Sequence, residues 1–439
     1  MTDFYRRLKE LSLPIAFQSL MTALVAASDA LMLGRIAQVE MTAVSLATQV
    51  QFVQNMIVTS IVAAEVILGA QYWGKGDRNT IGRIFNLTLR SVGLVSIFFF
   101  LACELAPRYL MMIFAGDEEL ISIGSSYLRI AGWSYLMSGV SQCYLGTMRI
   151  TDHVKQSAVI SSLAVVLNVI FNAVFIFGFS LSSRGAAAAT TLSRAVELIL
   201  CLALSSRKSF IRPEWKSFFN VEKWLSKDFW KQCFPLMGGS LFWGVGFTSY
   251  TAIMGHMGVD AAAASSVAAV VRDLVCCACN GVGSAAGIMV GNELGAGNLE
   301  KGKAVGIKLK NISWIIGFAS TALILAVTPL LLKFVVLTET AQGYLKGMMI
   351  IMAVYMIGRC VNTVVINGVL NGGGDTVFDM YSLAVCMWGI AIPLALLGAF
   401  VFHFPVLLVY ACTCLDEVGK IPWVMHRFRK YKWVRNLTK

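Results

Sequence analysis

The stretch that decides the fold runs from Leu13 to Asp77 and reads LPIAFQSLMTALVAASDALMLGRIAQVEMTAVSLATQVQFVQNMIVTSIVAAEVILGAQYWGKGD. It holds two long apolar runs, a carboxylate at Asp29 inside the first run, and a polar, glycine-rich end. Asp29 has no acidic counterpart in the second half, where the matching residue is Tyr250. Other features recur with a constant offset of about half the chain, at Pro14 and Pro235, Gly34 and Gly255, and Gly74-x-Gly76-Asp77 and Gly295-x-Gly297-Asn298. The sequence therefore predicts an internal repeat in which one half carries a charge that the other lacks.

The composition is typical of a membrane protein. Of the 439 residues, 57% are hydrophobic and 14% are charged, and the mean hydropathy is +0.72. A soluble domain has about 25% charged residues. Apolar runs long enough to cross a bilayer recur from end to end. We therefore expect an all-α integral membrane protein.

The net charge of +12 comes from Lys and Arg in short loops, which is the positive-inside pattern of a membrane protein and not a nucleic-acid surface. The first apolar run follows Arg6, Arg7 and Lys9 without a small-residue cleavage site, so we expect a retained helix. The eleven cysteines show no metal-ligand spacing and are expected to be packed thiols.

The apolar runs predict twelve transmembrane helices in two sets of six. The expected spans are 13–34, 43–72, 84–113, 121–147, a fifth ending near 180, 185–205, 231–256, 261–290, 304–335, 343–370, 377–401 and 405–424. An even number of spans places both termini on one side, and the basic loops make that side cytoplasmic.

Three segments of the chain are expected as domains. Residues 1–205 form an N-terminal six-helix bundle, 206–228 a basic cytoplasmic linker, and 229–439 a C-terminal six-helix bundle with a basic tail. Six helices per half make the repeats parallel, related by an axis along the membrane normal. Two such bundles leave a central cleft, the usual substrate path of a transporter.

Asp29 is the most informative polar residue, because an ionisable group inside a bilayer is costly and is by default a functional hypothesis. One interpretation is a proton or cation site, and the other is a carboxylate that snorkels outward or caps the next loop. Asn168 and Asn172 share a face of the fifth helix, and Thr190 follows in the sixth. Their amides and hydroxyl suit a cation site or plain inter-helix hydrogen bonding.

Further polar side chains fall inside the predicted spans. Gln51 and Gln54 share a face of the second helix and are predicted to line the cleft, with inter-helix bonding as the alternative. Arg272-Asp273 and Arg359 are expected either to face the cleft or to form structural ion pairs. Trp243 and Tyr250 are expected to add an aromatic wall suited to amphipathic cations.

The motifs of an enzyme are missing from the sequence. The two glycine-rich loops lack the Lys-Ser/Thr of a nucleotide-binding loop, and the four histidines are scattered. We therefore expect no catalytic residues, no cofactor and no metal other than a possible Na⁺ at Asp29.

Together these motifs resemble the multidrug and toxic compound extrusion (MATE) family over essentially the whole chain. The resemblance rests on Pro14, Asp29, Met32-x-Gly34, Ala70-Gln71-Tyr72-x-Gly74-Lys75-Gly76-Asp77, Leu167-Asn168, Gly185-Ala-Ala-Ala-Ala-Thr190, Val290-Gly291-x-x-Leu294-Gly295-Ala296-Gly297-Asn298 and Leu370-x-Gly-Gly-Gly-Asp375. It implies a secondary antiporter of the cell membrane, acting as a monomer, that exports cationic or amphipathic compounds in exchange for H⁺ or Na⁺.

The same resemblance implies a cation site formed by Asp29, Asn168 and Thr190. Asn172 stands where some members have a second Asp, which puts Na⁺ coupling in doubt. Members with a further cation site in the second bundle have acids near positions 243 and 360, which here are Trp243 and Cys360. On that matching we expect no site of that kind. The alternatives are a lipid-linked oligosaccharide flippase of the same superfamily, and a channel or non-transporting membrane protein.

Overall fold

The computed structural model describes residues 2–34, 38–207, 210–213, 218, 222–335 and 337–438, without the side chains of residues 2, 25–34 and 38. Within these ranges every regular element is a helix and none is a strand. The all-helical prediction is therefore confirmed for the described residues. The chain divides into two compact units, one of residues 17–233 and one of residues 1–16 and 234–439.

The first unit contains the end of helix α1 and most of the N-terminal half. Its helices are α1 (Thr2–Gly34), α2 (Gln38–Lys75), α3 (Arg78–Leu105), α4 (Pro107–Met112), α5 (Glu118–Ile150), α6 (Val154–Asn172) and α7 (Ser182–Ser205). Helix α5 packs against α2, α3 and α7. Tyr135 on α5 and Phe85 on α3 are completely buried in this unit.

The second unit contains the C-terminal half and the first residues of α1. Its helices are α8 (Lys223–His256), α9 (Val259–Gly295), α10 (Leu299–Phe334), α11 (Glu339–Asn362), α12 (Thr376–Leu383), α13 (Ile392–Leu396), α14 (Val406–Thr413), α15 (Leu415–Val418) and α16 (Ile421–Arg429). Helix α11 packs against α9 and α10, and its methionines fill the core. Met348, Met349, Met352 and Met356 are each at most 1% exposed.

Eight described helices are long and apolar enough to cross a membrane. They cover Val39–Lys75, Arg78–Leu105, Val154–Gly178, Ser182–Ser205, Val259–Gly295, Leu299–Phe334, Glu339–Leu370 and Thr376–Val401. A multi-pass membrane protein is therefore confirmed, and the full count of twelve spans stays a prediction.

Two predicted helices are broken. The third ends at Leu105, because Pro107 has no backbone N–H and disfavours a helical residue before it. The twelfth is divided into α14, α15 and α16, with Pro422 in the first turn of α16. Wider, π-helical turns also interrupt several spans, at Ala173–Gly178, Thr363–Leu370, Ala384–Ala391 and Leu397–Val401.

The glycine-rich loops of the two halves have the same backbone structure. Gly76 and Gly297 both have φ of +82°, a conformation that side chains rarely adopt. Gly76 N–H bonds the Trp73 carbonyl at 3.0 Å, and Gly297 N–H bonds the Leu294 carbonyl at 3.1 Å. The repeat seen in the sequence is thus a repeat of structure at these turns.

Candidate functional site

Three of the four predicted cation-site residues share one hydrogen-bond network in the first unit. The Asn168 amide nitrogen lies 3.3 Å from Thr190 Oγ1, to which it donates. Asn172 donates from its own amide to Asn168 Oδ1, also at 3.3 Å. Asn168 and Asn172 are 7% and 2% exposed. The arrangement places amide and hydroxyl oxygens, the ligands of hard cations, in a buried position.

Local sequence explains why α6 and α7 meet here. The start of α7, Gly185-Ala-Ala-Ala-Ala-Thr190, has small side chains that permit close approach of a neighbouring helix. The backbone beyond Asn172 widens into a π-helical turn, as often happens at functional sites. Ser193, one turn after Thr190, accepts a second bond from the Asn168 amide at 3.4 Å. Sequence reasoning missed Ser193.

Asp29, the fourth predicted residue, belongs to α1, but its side chain lies outside the described part of the structure. Its position relative to Asn168, Asn172 and Thr190 therefore stays a prediction. The three described residues can supply neutral oxygen ligands, and a negative charge from Asp29 at this place stays part of the prediction.

The two glutamines of α2 have different surroundings. Gln54 is 1% exposed and its amide donates to the Tyr135 carbonyl at 2.9 Å and to Ser96 Oγ at 3.4 Å. Gln54 thus ties α2 to α3 and α5. Gln51 is half-buried.

The four predicted cleft residues of the second half lie near one cavity. Tyr250 and Arg272 line a cavity of about 150 Å³ inside the second unit. Trp243 stacks on Phe247 with ring centroids 4.7 Å apart. The Arg272 guanidinium lies 4.5 Å from the Phe247 ring and 2.9 Å from Asp273 Oδ1. Asp273, with 60% of its side chain exposed, is the outer partner of this pair.

Arg359 has a partner that the sequence did not indicate. Its Nη1 lies 2.8 Å from Glu417 Oε1, and the Asn362 amide donates to Glu417 Oε2 at 2.7 Å. Lys420 Nζ is 3.8 Å from the same Glu417 oxygen. Three charges within the last apolar run, Asp416, Glu417 and Lys420, were the available signal. Arg359 was expected either to face the cleft or to form a structural ion pair, and the structure shows the ion pair.

Two buried acidic residues of the first unit, Glu65 and Glu197, were not among the predicted site residues. Glu65 is 1% exposed and accepts a hydrogen bond from Thr147 of α5. Glu197 on α7 is fully buried and pairs with Arg194 at 2.8 Å. Glu197 is thus paired with a cation of its own helix, whereas Glu65 is hydrogen-bonded to a hydroxyl of the neighbouring helix.

The glycine-rich loop Leu370-x-Gly-Gly-Gly-Asp375 binds the C-terminal segment. Asp375 accepts two bonds from the Arg427 guanidinium, at 2.7 and 2.8 Å, a fork geometry that is among the stronger ion pairs. The bond to Asp375 raises the pKa of Arg427 above its ordinary value, against the smaller effect of burial. The basic tail is thus anchored, and Trp433 within it is fully buried.

Comparisons with known proteins agree with this fold. The chain is 19% identical to the uncharacterized transporter YisQ of Bacillus subtilis, covering 97% of this chain and 94% of that protein. It is 23% identical to the probable multidrug resistance protein NorM of Thermotoga maritima, covering 98% and 93%. The solved structure of the Vibrio cholerae MATE transporter VcmN in a bent form matches with a TM-score of 0.88 at 16% identity, covering 98% and 97%.

The MatE family profile matches residues 14–174 and 235–397, two segments that begin at the repeated prolines Pro14 and Pro235. These segments make up most of the chain, and they point to a transporter rather than an enzyme. The exporter reading is favoured over the flippase alternative by the same match. The resemblance predicted from the motifs is confirmed, and the chain belongs to the MatE family of multidrug and toxic compound extrusion transporters.

Proposed function

We propose that the protein is an antiporter that exports organic cations or amphipathic compounds from the cell in exchange for H⁺, by alternating access. Family membership and the names of the relatives support export of such compounds. The observation that supports the coupling site is the network of Asn168, Asn172 and Thr190, because hydrogen bonds there join two buried amides to a half-buried hydroxyl.

The coupling cation binds at Asp29 in this proposal, with Asn168, Asn172 and Thr190 around it. A single carboxylate among neutral amides and a hydroxyl can be discharged by one proton. Na⁺ would be better held by a second negative charge, which Asn172 does not supply. Protonation removes the charge and biases the equilibrium between inward-facing and outward-facing states, provided that these states differ in proton affinity.

The architecture proposed for this cycle is the one expected from the sequence. Twelve helices form two parallel-repeat bundles, 1–205 and 229–439, joined by the linker 206–228. The protein is a monomer of the cell membrane with both termini in the cytoplasm. The substrate is contacted by side chains of both halves, namely Gln51, Gln54, Trp243, Tyr250, Arg272 and Asp273.

The test is transport in proteoliposomes, with the pH gradient and the Na⁺ gradient varied separately. We expect wild-type export to follow the pH gradient, and Asp29→Asn to lose gradient-driven export while substrate binding remains measurable. Expression and membrane insertion of the variant are checked first. Wild-type-like export by Asp29→Asn would refute the site, and export driven by Na⁺ alone would refute the proton. Flux that is independent of both the pH gradient and the Na⁺ gradient would indicate a channel.

A further inference from the structure

The second unit contains a buried carboxylate that its neighbours leave partly unsatisfied. Asp416 on α15 is 2% exposed. Its Oδ1 is buried and accepts no hydrogen bond within the described residues. The side chain lines the cavity of about 150 Å³ together with Tyr250, Thr413 and Arg272. A carboxylate in such surroundings is costly unless a positive charge or a proton accompanies it.

The cations near Asp416 are already engaged by other acids. Glu417 takes the Arg359 guanidinium at 2.8 Å and lies 3.8 Å from Lys420 Nζ. Arg272, which also lines the cavity, is paired with Asp273 at 2.9 Å. Among the described residues, Asp416 is thus the carboxylate of the cavity lining that takes part in no ion pair.

The internal repeat shows which position of the first unit Asp416 occupies. Ser180 and His403 both have left-handed backbone, with φ of +52° and +51°. The preceding residues close equivalent turns, from Phe179 N–H to the Val174 carbonyl at 3.0 Å and from Phe402 N–H to the Leu397 carbonyl at 2.9 Å. These turns fix the register between α7 and the segment 406–418.

In that register Thr190 corresponds to Thr413, and Ser193 corresponds to Asp416. Thr190 and Ser193 are the two α7 residues that accept the Asn168 amide. Their counterparts Thr413 and Asp416 both line the cavity of the second unit. The cavity therefore occupies the place in the second unit that the candidate cation site occupies in the first.

The first helix of each repeat completes the comparison. Asp29 of α1 corresponds to Tyr250 of α8. The Tyr250 hydroxyl is buried, lines the same cavity and interacts with the Asp416 carboxylate. The second unit thus has a hydroxyl where the first has its carboxylate, and a carboxylate where the first has a hydroxyl.

Several ionisable groups surround Asp416 and set its proton affinity. The groups on other elements are Tyr250 of α8, Arg272 of α9, Tyr355 and Arg359 of α11, Asp379 of α12, Cys386 of the π-helical turn Ala384–Ala391, and Tyr410 of α14. The groups next to Asp416 in the chain are Cys414, Glu417 and Lys420. Arg359, Lys420 and Arg272 favour the ionised form of Asp416, and the acids favour the protonated form.

We propose that Asp416 is a second proton-exchange carboxylate of this transporter, located in the C-terminal unit at the position that corresponds to Ser193. The Asp416 carboxylate takes up one H⁺ from the cavity, becomes a neutral carboxylic acid, and returns the H⁺ to water. Use of that proton for transport rests on the proposed function, whereas proton binding does not. The family's acidic positions, here Trp243 and Cys360, could not reveal this group because it lies on a different helix.

The experiment is infrared difference spectroscopy of the purified full-length protein between high and low pH, which detects the carbonyl band of protonated carboxyl groups. We expect Asp416→Asn to lose part of this band in the wild-type and in the Asp29→Asn background. Both pH values are kept above about 6, where exposed carboxylates stay ionised. Glu300→Gln, which removes an exposed acid of the same unit, is then the matched control and should leave the band unchanged.

Asp416→Glu keeps an ionisable carboxyl group and should keep the band at a shifted frequency. This variant tests the proposal even if Asp416→Asn fails to fold. A folded Asp416→Asn protein with the full wild-type band, or an Asp416→Glu protein with an unshifted one, would overturn the assignment. So would a wild-type band that Na⁺ suppresses at constant pH and ionic strength, since the cavity would then bind Na⁺.

Transport then separates the two proposals. If the wild-type protein shows no export driven by a pH gradient, the proposed function fails while the infrared result on Asp416 stands. If export is driven by the pH gradient, Asp416→Asn should lower the number of protons exchanged per substrate. An unchanged stoichiometry would overturn the role of Asp416 in coupling.

Discussion

Asn168, Asn172 and Thr190 illustrate what sequence can predict about single residues. The four-residue spacing of the asparagines fixes a shared helix face without any tertiary information. The partner of Arg359 is different, because Glu417 is 58 positions away and on another helix. Spacing along one helix says nothing about such a pair. Asp416 was visible as a charge in an apolar run, but only the register of the two units shows its counterpart.

The Asn168 network gives a prediction for transport. Asn168→Ala removes the acceptor of Asn172 and the donor to Thr190 and Ser193, and an unsatisfied buried group costs about 1–3 kcal/mol. We expect gradient-driven export in proteoliposomes to fall by about tenfold, which corresponds to about 1.4 kcal/mol. Ile170→Ala, an exposed position on the same helix, is the control and should transport normally. Equal export by both variants would contradict the role of Asn168.

The Arg359–Glu417 pair gives a prediction for stability. Arg359→Ala leaves Glu417 buried without its guanidinium partner, which costs about 3–5 kcal/mol. The exposed pair Arg108–Glu118 should contribute about 0–1 kcal/mol, so Arg108→Ala is the matched control. Unfolding of the detergent-solubilised variants measures both. A double variant, Arg359→Met with Glu417→Leu, should recover part of the loss, and equal stability of the two single variants would refute the prediction.

At the scale of elements, hydropathy located the helices better than it located their ends. It predicted the apolar core of the eight spans that the described helices support, because burial in lipid requires apolar side chains. The break before Pro107 was readable from the proline, whereas the π-helical turns have no comparable sequence signal. The glycine-rich turns were recognised as repeats before their shared backbone was known.

Those turns predict the effect of glycine substitutions. Gly297→Ala places a side chain at φ of +82° and should destabilise the protein by about 1 kcal/mol, although no neighbouring atom obstructs the new methyl group. Gly343→Ala, inside α11 and equally unobstructed, should stabilise it by about 0.5–1 kcal/mol because alanine favours the helix. Unfolding midpoints in detergent decide the matter. Two shifts of the same sign would show that backbone conformation is not the cause.

Asp77 caps α3 and makes a pH-dependent prediction. Partial burial opposes its ionisation, but bonds from the Thr80 N–H and hydroxyl, with nearby Lys75 and Arg83, lower the pKa of Asp77 below its ordinary value of 3.8. The stabilisation is therefore present above that value and is lost as the pH falls through the lower, folded pKa. Asp77→Ala should cost about 1 kcal/mol at neutral pH, and the difference should shrink in acid.

Asn298 begins α10 at the corresponding position and makes no side-chain cap, so Asn298→Ala is the control for Asp77. Its effect should be small and independent of pH. Thermal unfolding of both variants from neutral pH to pH below 3.8 measures the comparison. A constant difference between wild type and Asp77→Ala over that range would contradict an ionised cap.

On the scale of the whole molecule, the distribution of charge and the internal repeat are the sequence features that best predict the protein class and its organisation. The net charge of +12 lies largely in loops, and the family match begins afresh at Pro235, so class and repeat were both readable from sequence. The division into compact units at residues 16–17 and 233–234 was not, because it follows tertiary packing. The predicted bundles, 1–205 and 229–439, followed the longest polar segment instead.

The orientation of the chain is the last prediction, and the basic loops support it. Each Lys or Arg near a span favours the cytoplasm, and the basic segments are the lead with Arg6, Arg7 and Lys9, the linker 206–228, and the tail with Arg427, Arg429, Lys430, Lys432 and Arg435. The loop 116–119, with Asp117, Glu118 and Glu119, is separated from the lead by three predicted spans and should face outward. Fusion of green fluorescent protein or alkaline phosphatase after residue 439 and within 116–119 tests this. Fluorescence at the C-terminus and phosphatase activity at the loop are expected, and the reverse pattern would place both termini outside the cell.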